Sequence, residues 1–417
     1  MNYRHPTNRL CTTGLLLGII AGLASIGAPA EESSVNGKIA QIEGPHRANP
    51  PAQLTNPENP TPESGTAGLS ELTLQQIMDK LHVPGASIAV IKDFKIHWAK
   101  AYGVADAESA RPVQLDTRFQ AASISKPLTA MAALRLVQEG RFSLDDDVNK
   151  LLKSWKVPSS AYTAVQPVTP RSLFSHTSGA DDGFGFLGYE PGSQLPSIMQ
   201  ILDGQPPSNG GPVLFARPPY EKSKYSGGGI LIMQLALTDM LHEPFERIMQ
   251  KYVLQPLRMS HSSYEQPPPS NPTSISQYAF AHDKDGRRFT VPWHVFPEQA
   301  AAGLWTTPTD LAHFIIEIQR AVRGPSGAVL RQAAAREMIS PIGEGPFAVG
   351  IRLSSKGDGW YVFHGGQNFG FEALIIGHIR KGYGAVIMTN SEDGSTPFIE
   401  ELEARIMDAY EWDRPGH

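Results

Sequence analysis

Segments with the composition of β-strands lie near the two ends of this 417-residue chain, and segments with helical spacing lie between them. Ala86 to Ile91 and Ile96 to Tyr102, separated by a polar turn at Lys92-Asp93, read as a hairpin rich in β-branched residues. Towards the other end, Phe347 to Leu353, Trp360 to His364, Phe371 to Ile376 and Gly384 to Met388 read as four more strands, and Pro397 to Tyr410 as a closing helix. A further helix is expected before the hairpin, where Leu74, Ile77, Met78 and Leu81 share one face ahead of Pro84-Gly85. Strands at both ends with helices between them predict an α+β fold. One antiparallel sheet is assembled from the two termini and covered by helices, in place of a parallel sheet of βαβ units.

The first thirty residues have the layout of a secretory signal. Arg4 and Arg9 precede an apolar run from Gly14 to Ile26, and Ala28-Pro29-Ala30 offers a small-residue cleavage site. A retained anchor is the alternative, but the run is short of the ~20 residues that a span needs and holds several glycines. Residues 31–68, with prolines at 45, 50, 51, 57, 60 and 62, read as a flexible lead-in to a domain over 69–417. Export implies a periplasmic or secreted protein with no stable membrane span after cleavage.

Cys11 is the only cysteine and lies in the signal, ahead of the apolar run. The mature chain then offers no disulfide, thiol nucleophile or cysteine metal site, so any hydrolytic chemistry falls to oxygen. Loss of Arg4 and Arg9 takes the basic count from 36 to 34 against 41 acids, a net charge of -7. With no basic run longer than Arg287-Arg288, nothing in the chain is built to grip nucleic acid.

Three segments carry chemistry. Ser123-Ile124-Ser125-Lys126-Pro127 leads into an apolar helix that ends at Gly140, so Ser123 sits at the helix start with Lys126 on the same face. A serine hydroxyl needs a neighbour to take its proton. A lysine can do so where burial or positive potential lowers its pKa, and a helix N-terminus supplies such potential. Ser-x-x-Lys alone is a pattern that chance also produces. Lys224-Tyr225-Ser226-Gly227-Gly228-Gly229 precedes a second apolar helix, Ile230 to Leu241, so Tyr225 is expected to project from a tight glycine turn as an acid or base; a packing tyrosine is the bland reading. His364-Gly365-Gly366-Gln367 lies between two expected strands, where glycines let a substrate lie against a strand edge; an ordinary glycine turn is the alternative.

In order and spacing these segments resemble the serine β-lactamase and penicillin-binding-protein superfamily, in the branch that holds class C β-lactamases, D-alanyl-D-alanine carboxypeptidases and family VIII esterases. The resemblance runs from about Leu69 to Tyr410. It is supported by Leu173 to Gly179, Ser143 to Val148 and Ala302 to Leu311. It implies a β-lactamase/transpeptidase-like fold with a mainly helical subdomain inserted. It also implies an acylated Ser123, Lys126 and Tyr225 as the proton-transfer pair, and substrate binding by His364, Gly365, Gly366 and Gln367. The oxyanion hole would be the backbone N–H groups of Ser123 and Gln367. No metal and no organic cofactor is implied; His176 and Asp145 to Asp147 read as scaffold, the aspartates as helix caps.

Two departures bear on substrate. The second motif is Tyr225-Ser226-Gly227 where the family usually has Tyr-x-Asn, so the side chain that holds a β-lactam's acylamide is missing. The third begins with His364 where many β-lactamases have Lys, which removes a permanent cation. The long segment from Phe184 to Tyr220, with Phe186, Tyr189 and Phe215, is expected to wall an apolar acyl or alcohol site; a surface excursion is the alternative. The expected activity is that of a carboxylesterase. The alternatives are a D-Ala-D-Ala carboxypeptidase or D-amino-acid peptidase, a weak β-lactamase, and a catalytically silent binder of wall fragments. Partners are thus small ester, peptide or β-lactam molecules, with the oligomeric state left open.

Overall fold

The computed structural model describes residues 28–46, 68–182, 185–269, 271–324, 327–356, 359–392 and 395–413. The chain opens with α1 (Ala28–Glu43) and α2 (Leu74–Lys80), the second started by a reciprocal Thr73–Gln76 capping box. The strands β1 (Gly85–Lys92), β2 (Lys95–Asp106) and β3 (Arg111–Pro112) follow. Asp93 and Phe94, at φ 52° and 61°, form the hairpin turn one residue later than expected, in the left-handed pair that matches strand twist.

The middle of the chain is mainly helical. After β4 (Phe119–Gln120) come α3 (Ser125–Gln138), α4 (Pro170–Phe174), β5 (Ala180–Asp181), α5 (Ile198–Leu202) and β6 (Leu214–Phe215). Then follow α6 (Gly227–Leu241), α7 (Phe245–Met249), α8 (Pro272–Ile275), α9 (Gln299–Ala302), β7 (Trp305–Thr306), α10 (Pro308–Arg323) and α11 (Gln332–Met338). The chain closes with β8 (Arg352–Lys356), β9 (Gly359–Asn368), β10 (Phe371–His378), β11 (Gly384–Thr389) and α12 (Ser395–Ala409).

The main sheet has the order β3-β2-β1-β11-β10-β9-β8, and all of its pairings are antiparallel. Its two ends meet where β1 pairs β11, Ile88 opposite Ile387, so the sheet closes only when both termini are in place. β1 is buried on both faces, and its side chains divide by the period of two. Ile88 and Val90 join Ile77, Phe398 and Leu402 in the layer of α2 and α12, while Ala89 and Ile91 face the larger core under α3 and α10. The expected α+β sheet from both termini, with helices inserted, is the fold observed.

Three expectations need correction. Residues 31–68 were expected to be flexible throughout, but α1 occupies Ala28–Glu43 and docks on α12, with Ile42 fully buried. The buried Arg405 of α12 pairs with Glu401 and donates to the carbonyls of Ile42, Gly44, Leu69 and Leu72, which fixes both sides of residues 47–67 to the domain. Residues 1–27, where most of the expected signal lies, and 47–67 fall outside the described residues. The strand expected over Phe347–Leu353 starts only at Arg352, because Gly350 takes φ 76° where α3 presses on it through Ala130. The helix expected from Ile230 starts at Gly227, so the three glycines are its first turn and not a turn ahead of it.

Candidate active site

Ser123 stands in a single 3-10 turn (Ala122–Ile124) that runs straight into α3. Ala122 holds φ 48°, a left-handed conformation unusual for alanine that turns the chain sharply just before Ser123. The turn is laced to α9 and its exit. Ser125 Oγ donates to the Ala122 carbonyl at 2.6 Å and accepts from Leu304 N at 3.0 Å, and Thr129 Oγ1 donates to the Ala300 carbonyl at 3.0 Å.

Lys126 is buried, and its Nζ donates to Ser123 Oγ at 2.8 Å and to the Ala301 carbonyl at 2.9 Å. Burial pulls its pKa down to about 7, partly offset by the negative charge of Asp182. At neutral pH a large share of this amine is therefore unprotonated, the form that can take a proton from Ser123.

Tyr225 is set by its neighbour. Ser226 has extended backbone, caps α6 by accepting from Gly229 N at 2.8 Å, and donates its own N–H to His176 Nδ1 at 3.1 Å. His176 is buried and its pKa lies well below the usual range, because burial disfavours its charge and Lys126, His364 and Arg352 add positive potential. Its ring lies against that of Tyr225, tilted by 34° with centroids 4.4 Å apart, and the Tyr225 centroid is 4.9 Å from Lys126 Nζ. His176 thus positions Tyr225 from behind, in keeping with its reading as scaffold, and Asp147 caps a short turn through Asn149 N as expected.

The third segment is strand and not turn. β8 pairs with β9 only as far as Phe363, so His364 to Asn368 extend beyond it with one edge unpaired by β8. The hairpin turns at Phe369-Gly370, and counting back from that two-residue turn, Gln367 faces Glu372 in a non-hydrogen-bonded pair. In such a pair the N–H points away from the partner strand, here towards the free edge. Gly366 brings that edge against the turn that carries Ser123: a Cβ there would collide with the Ala121 carbonyl and stand 3.2 Å from Ala122 Cβ. Asn368 ties the strand end down, donating to Gln120 Oε1 at 2.7 Å and the Ala302 carbonyl at 3.1 Å.

His364 is buried, donates Nδ1–H to the Gly365 carbonyl at 2.6 Å, and has its pKa pushed down to about 3, first by burial and then by Lys126. It is neutral at any ordinary pH. The permanent cation of this region is Arg352 on β8, buried against Phe347 and Phe363.

Ser123, Lys126, Tyr225, His364, Gly365, Gly366 and Gln367 therefore belong to one neighbourhood built from α3, α6 and β9. Asp182, Arg352 and Asn368 were not expected there from the sequence. Asp182 accepts from Gly228 N, and its burial raises its pKa. It sits more than forty residues from either helix in sequence, and no spacing pattern marks it. Within the long segment, Phe184 lies outside the described residues, Tyr189 and Phe215 are buried, and Phe186 lies against Gly227. Among the described residues no group of three or more His, Cys, Asp or Glu could hold a metal, and no helix is long and apolar enough to cross a membrane.

Comparison with known proteins bears on the family and the fold. The Beta-lactamase family model matches residues 71–406. Protein flp of Staphylococcus aureus (strain MRSA252) is 25% identical over 347 residues, covering 80% of this chain and 65% of that protein, so the chain spans less than two thirds of that relative's length. A β-lactamase of Pseudomonas fluorescens is 26% identical over 246 residues, covering 58% of this chain and 62% of that one. Two solved structures share the fold: a penicillin-binding protein homologue from Pyrococcus abyssi, described as octameric (TM-score 0.63, 24% identity, 82% of this chain and 76% of that one), and the D-amino acid amidase of Ochrobactrum anthropi SV3 (TM-score 0.62, 21% identity, 81% and 98%). With its Ser-x-x-Lys pair at the start of α3 and its glycine-bearing edge strand, the chain belongs to the β-lactamase family of serine hydrolases.

Proposed function

We propose that the protein is an exported carboxylesterase-like hydrolase that works through an acyl-enzyme on Ser123. The observation that carries the reading is the buried Lys126 amine, 2.8 Å from Ser123 Oγ and with its pKa near 7. Neutral Lys126 takes the Ser123 proton as Oγ attacks the ester carbonyl, and the oxyanion is held by the N–H groups of Ser123 and Gln367. The proton passes by way of Tyr225 to the departing alkoxide, the C–O bond breaks, and the alcohol leaves. Water then repeats the sequence on the acyl-enzyme, and the acid and Ser123 are released.

Two observations favour an ester over a charged or amide-bearing substrate. His364 is neutral and offers no cation to a carboxylate, and Gly227 offers no side-chain amide to an acylamide. A second reading, a D-amino-acid amidase or peptidase, is supported by the fold shared with the amidase and by Arg352, whose charge could serve a substrate carboxylate. Turnover of p-nitrophenyl butyrate by the parent and none by Ser123→Ala, with no D-alanine released from a D-Ala-D-Ala peptide, is the expected result. D-alanine release at a higher kcat/KM than ester hydrolysis would overturn the first reading in favour of the second. The N-terminal layout supports a periplasmic or secreted location.

A further inference from the structure

We infer that Phe186 sets the length of the hydrocarbon arm this site accepts, by filling the space that a side chain at position 227, two residues after Tyr225, would otherwise take. The inference rests on the esterase reading and adds the residue that decides among esters.

The argument begins with the backbone. Ser226 is extended at φ -143° and ψ 116° and caps α6, so Gly227 opens the helix two residues after Tyr225. A Cβ built on Gly227 would stand 2.7 Å from Phe186 Cε2 and 3.2 Å from its Cζ. The ring of Phe186 thus lies directly on the bare backbone of Gly227, at the start of the helix that Tyr225 precedes. The next glycine is covered in the same way, by Val213 and Asp182.

The backbone that follows Phe186 is anchored at three successive residues. Tyr189 and Val295 exchange backbone hydrogen bonds at 2.9 and 2.8 Å, His294 Nδ1 donates to the Leu187 carbonyl at 2.8 Å, and Asn209 Nδ2 donates to the Gly188 carbonyl at 2.8 Å. Gly188 is bare because any side chain there would strike Phe296 and His294. Phe186 is only partly buried, so it offers an apolar face, and a fixed aromatic wall sets a steric limit for alkyl arms without offering a hydrogen bond to polar ones.

The test compares the parent with Phe186→Ala and Phe186→Leu on two ester series, one varying the acyl chain from acetate to octanoate and one varying the alcohol from methyl to octyl. Labelling rates with short- and long-chain alkyl fluorophosphonates are read by intact mass. In one of the two ester series, kcat/KM for the longest member relative to the shortest should rise roughly tenfold in Phe186→Ala and less in Phe186→Leu. A thermal double-mutant cycle adds an independent readout: Gly227→Ala should lower Tm in the parent and lower it less in the Phe186→Ala background. Profiles unchanged in both series, in variants that keep the parent's Tm and are still labelled, would overturn the inference alone. Absence of labelling in the parent would sink the nucleophile reading and this inference with it.

Discussion

Gly366 and Ala121 touch: strand β9 passes so close to the turn before Ser123 that a single added methyl group at 366 would overlap the Ala121 carbonyl. This contact sets the distance between the edge N–H of Gln367 and Ser123. Gly366→Ala should therefore push the strand away, cost roughly 1–3 kcal/mol of stability and lower kcat/KM on the order of a hundredfold. At Gly365 a Cβ finds nothing nearer than the Ala373 carbonyl at 3.9 Å, so Gly365→Ala should keep the parent's Tm. Thermal melts and ester kinetics on the two variants check the contrast.

Activity should depend on pH through Lys126. The amine acts as base only when neutral, and its pKa is held near 7, so kcat/KM should rise with pH through a limb centred near 7. Asp182 raises that pKa, so Asp182→Asn should move the limb to lower pH. A pH–rate profile of each protein decides the sign.

Glu298 should make stability fall as pH rises. Its carboxyl is buried ahead of α9 with no hydrogen-bond partner beyond its own amide, and burial raises its pKa from 4.5 to about 8. In the unfolded chain it ionises near 4.5, while the folded chain keeps the proton up to about 8. The unfolded state gains across that window, and stability is lost between the two values. The carbonyls of Ala300 and Ala301 in the helix that follows hold Thr129 and Lys126, so ionisation strains the active site as well. Tm measured at pH 5 and pH 7.5 should drop in the parent and drop less in Glu298→Gln.

Arg405 should be critical for the N-terminal helix. It is buried with Glu401 and collects four carbonyls on either side of residues 47–67, so Arg405→Ala leaves a buried carboxylate and four acceptors without their donor. A loss of about 3–5 kcal/mol is expected, with faster proteolytic release of the segment ahead of residue 47. A denaturant melt and a timed limited digest measure both.

Much of the fold was legible because short apolar runs with β-branched residues, such as Ser87 to Ile91 and Ala385 to Met388, read as strands when polar or glycine turns bound them. What failed was local. Val35, Ile39 and Ile42 recur at helical spacing, but the Pro-rich stretch after them was read together with them, and α1 was lost in the average. Gly227 to Gly229 read as a tight turn because glycine tolerates any backbone conformation, whereas Ser226 caps them and the long loop covers them, so packing draws them into the helix. The Ser123, Tyr225 and His364 segments were visible because their chemistry is written in short spacings. Phe186 was marked as a pocket wall by the length and aromatic content of its segment, whereas Asp182 and Asn368 take their places only through folding, and no spacing pattern assigns them a role.

Intact-mass measurement of the parent and Ser123→Ala after exposure to a fluorophosphonate, with p-nitrophenyl butyrate turnover measured alongside, tests the central claim most directly. One adduct on the parent, none on the variant, and turnover only by the parent is the predicted result. An unlabelled parent, or equal labelling of both, would contradict it.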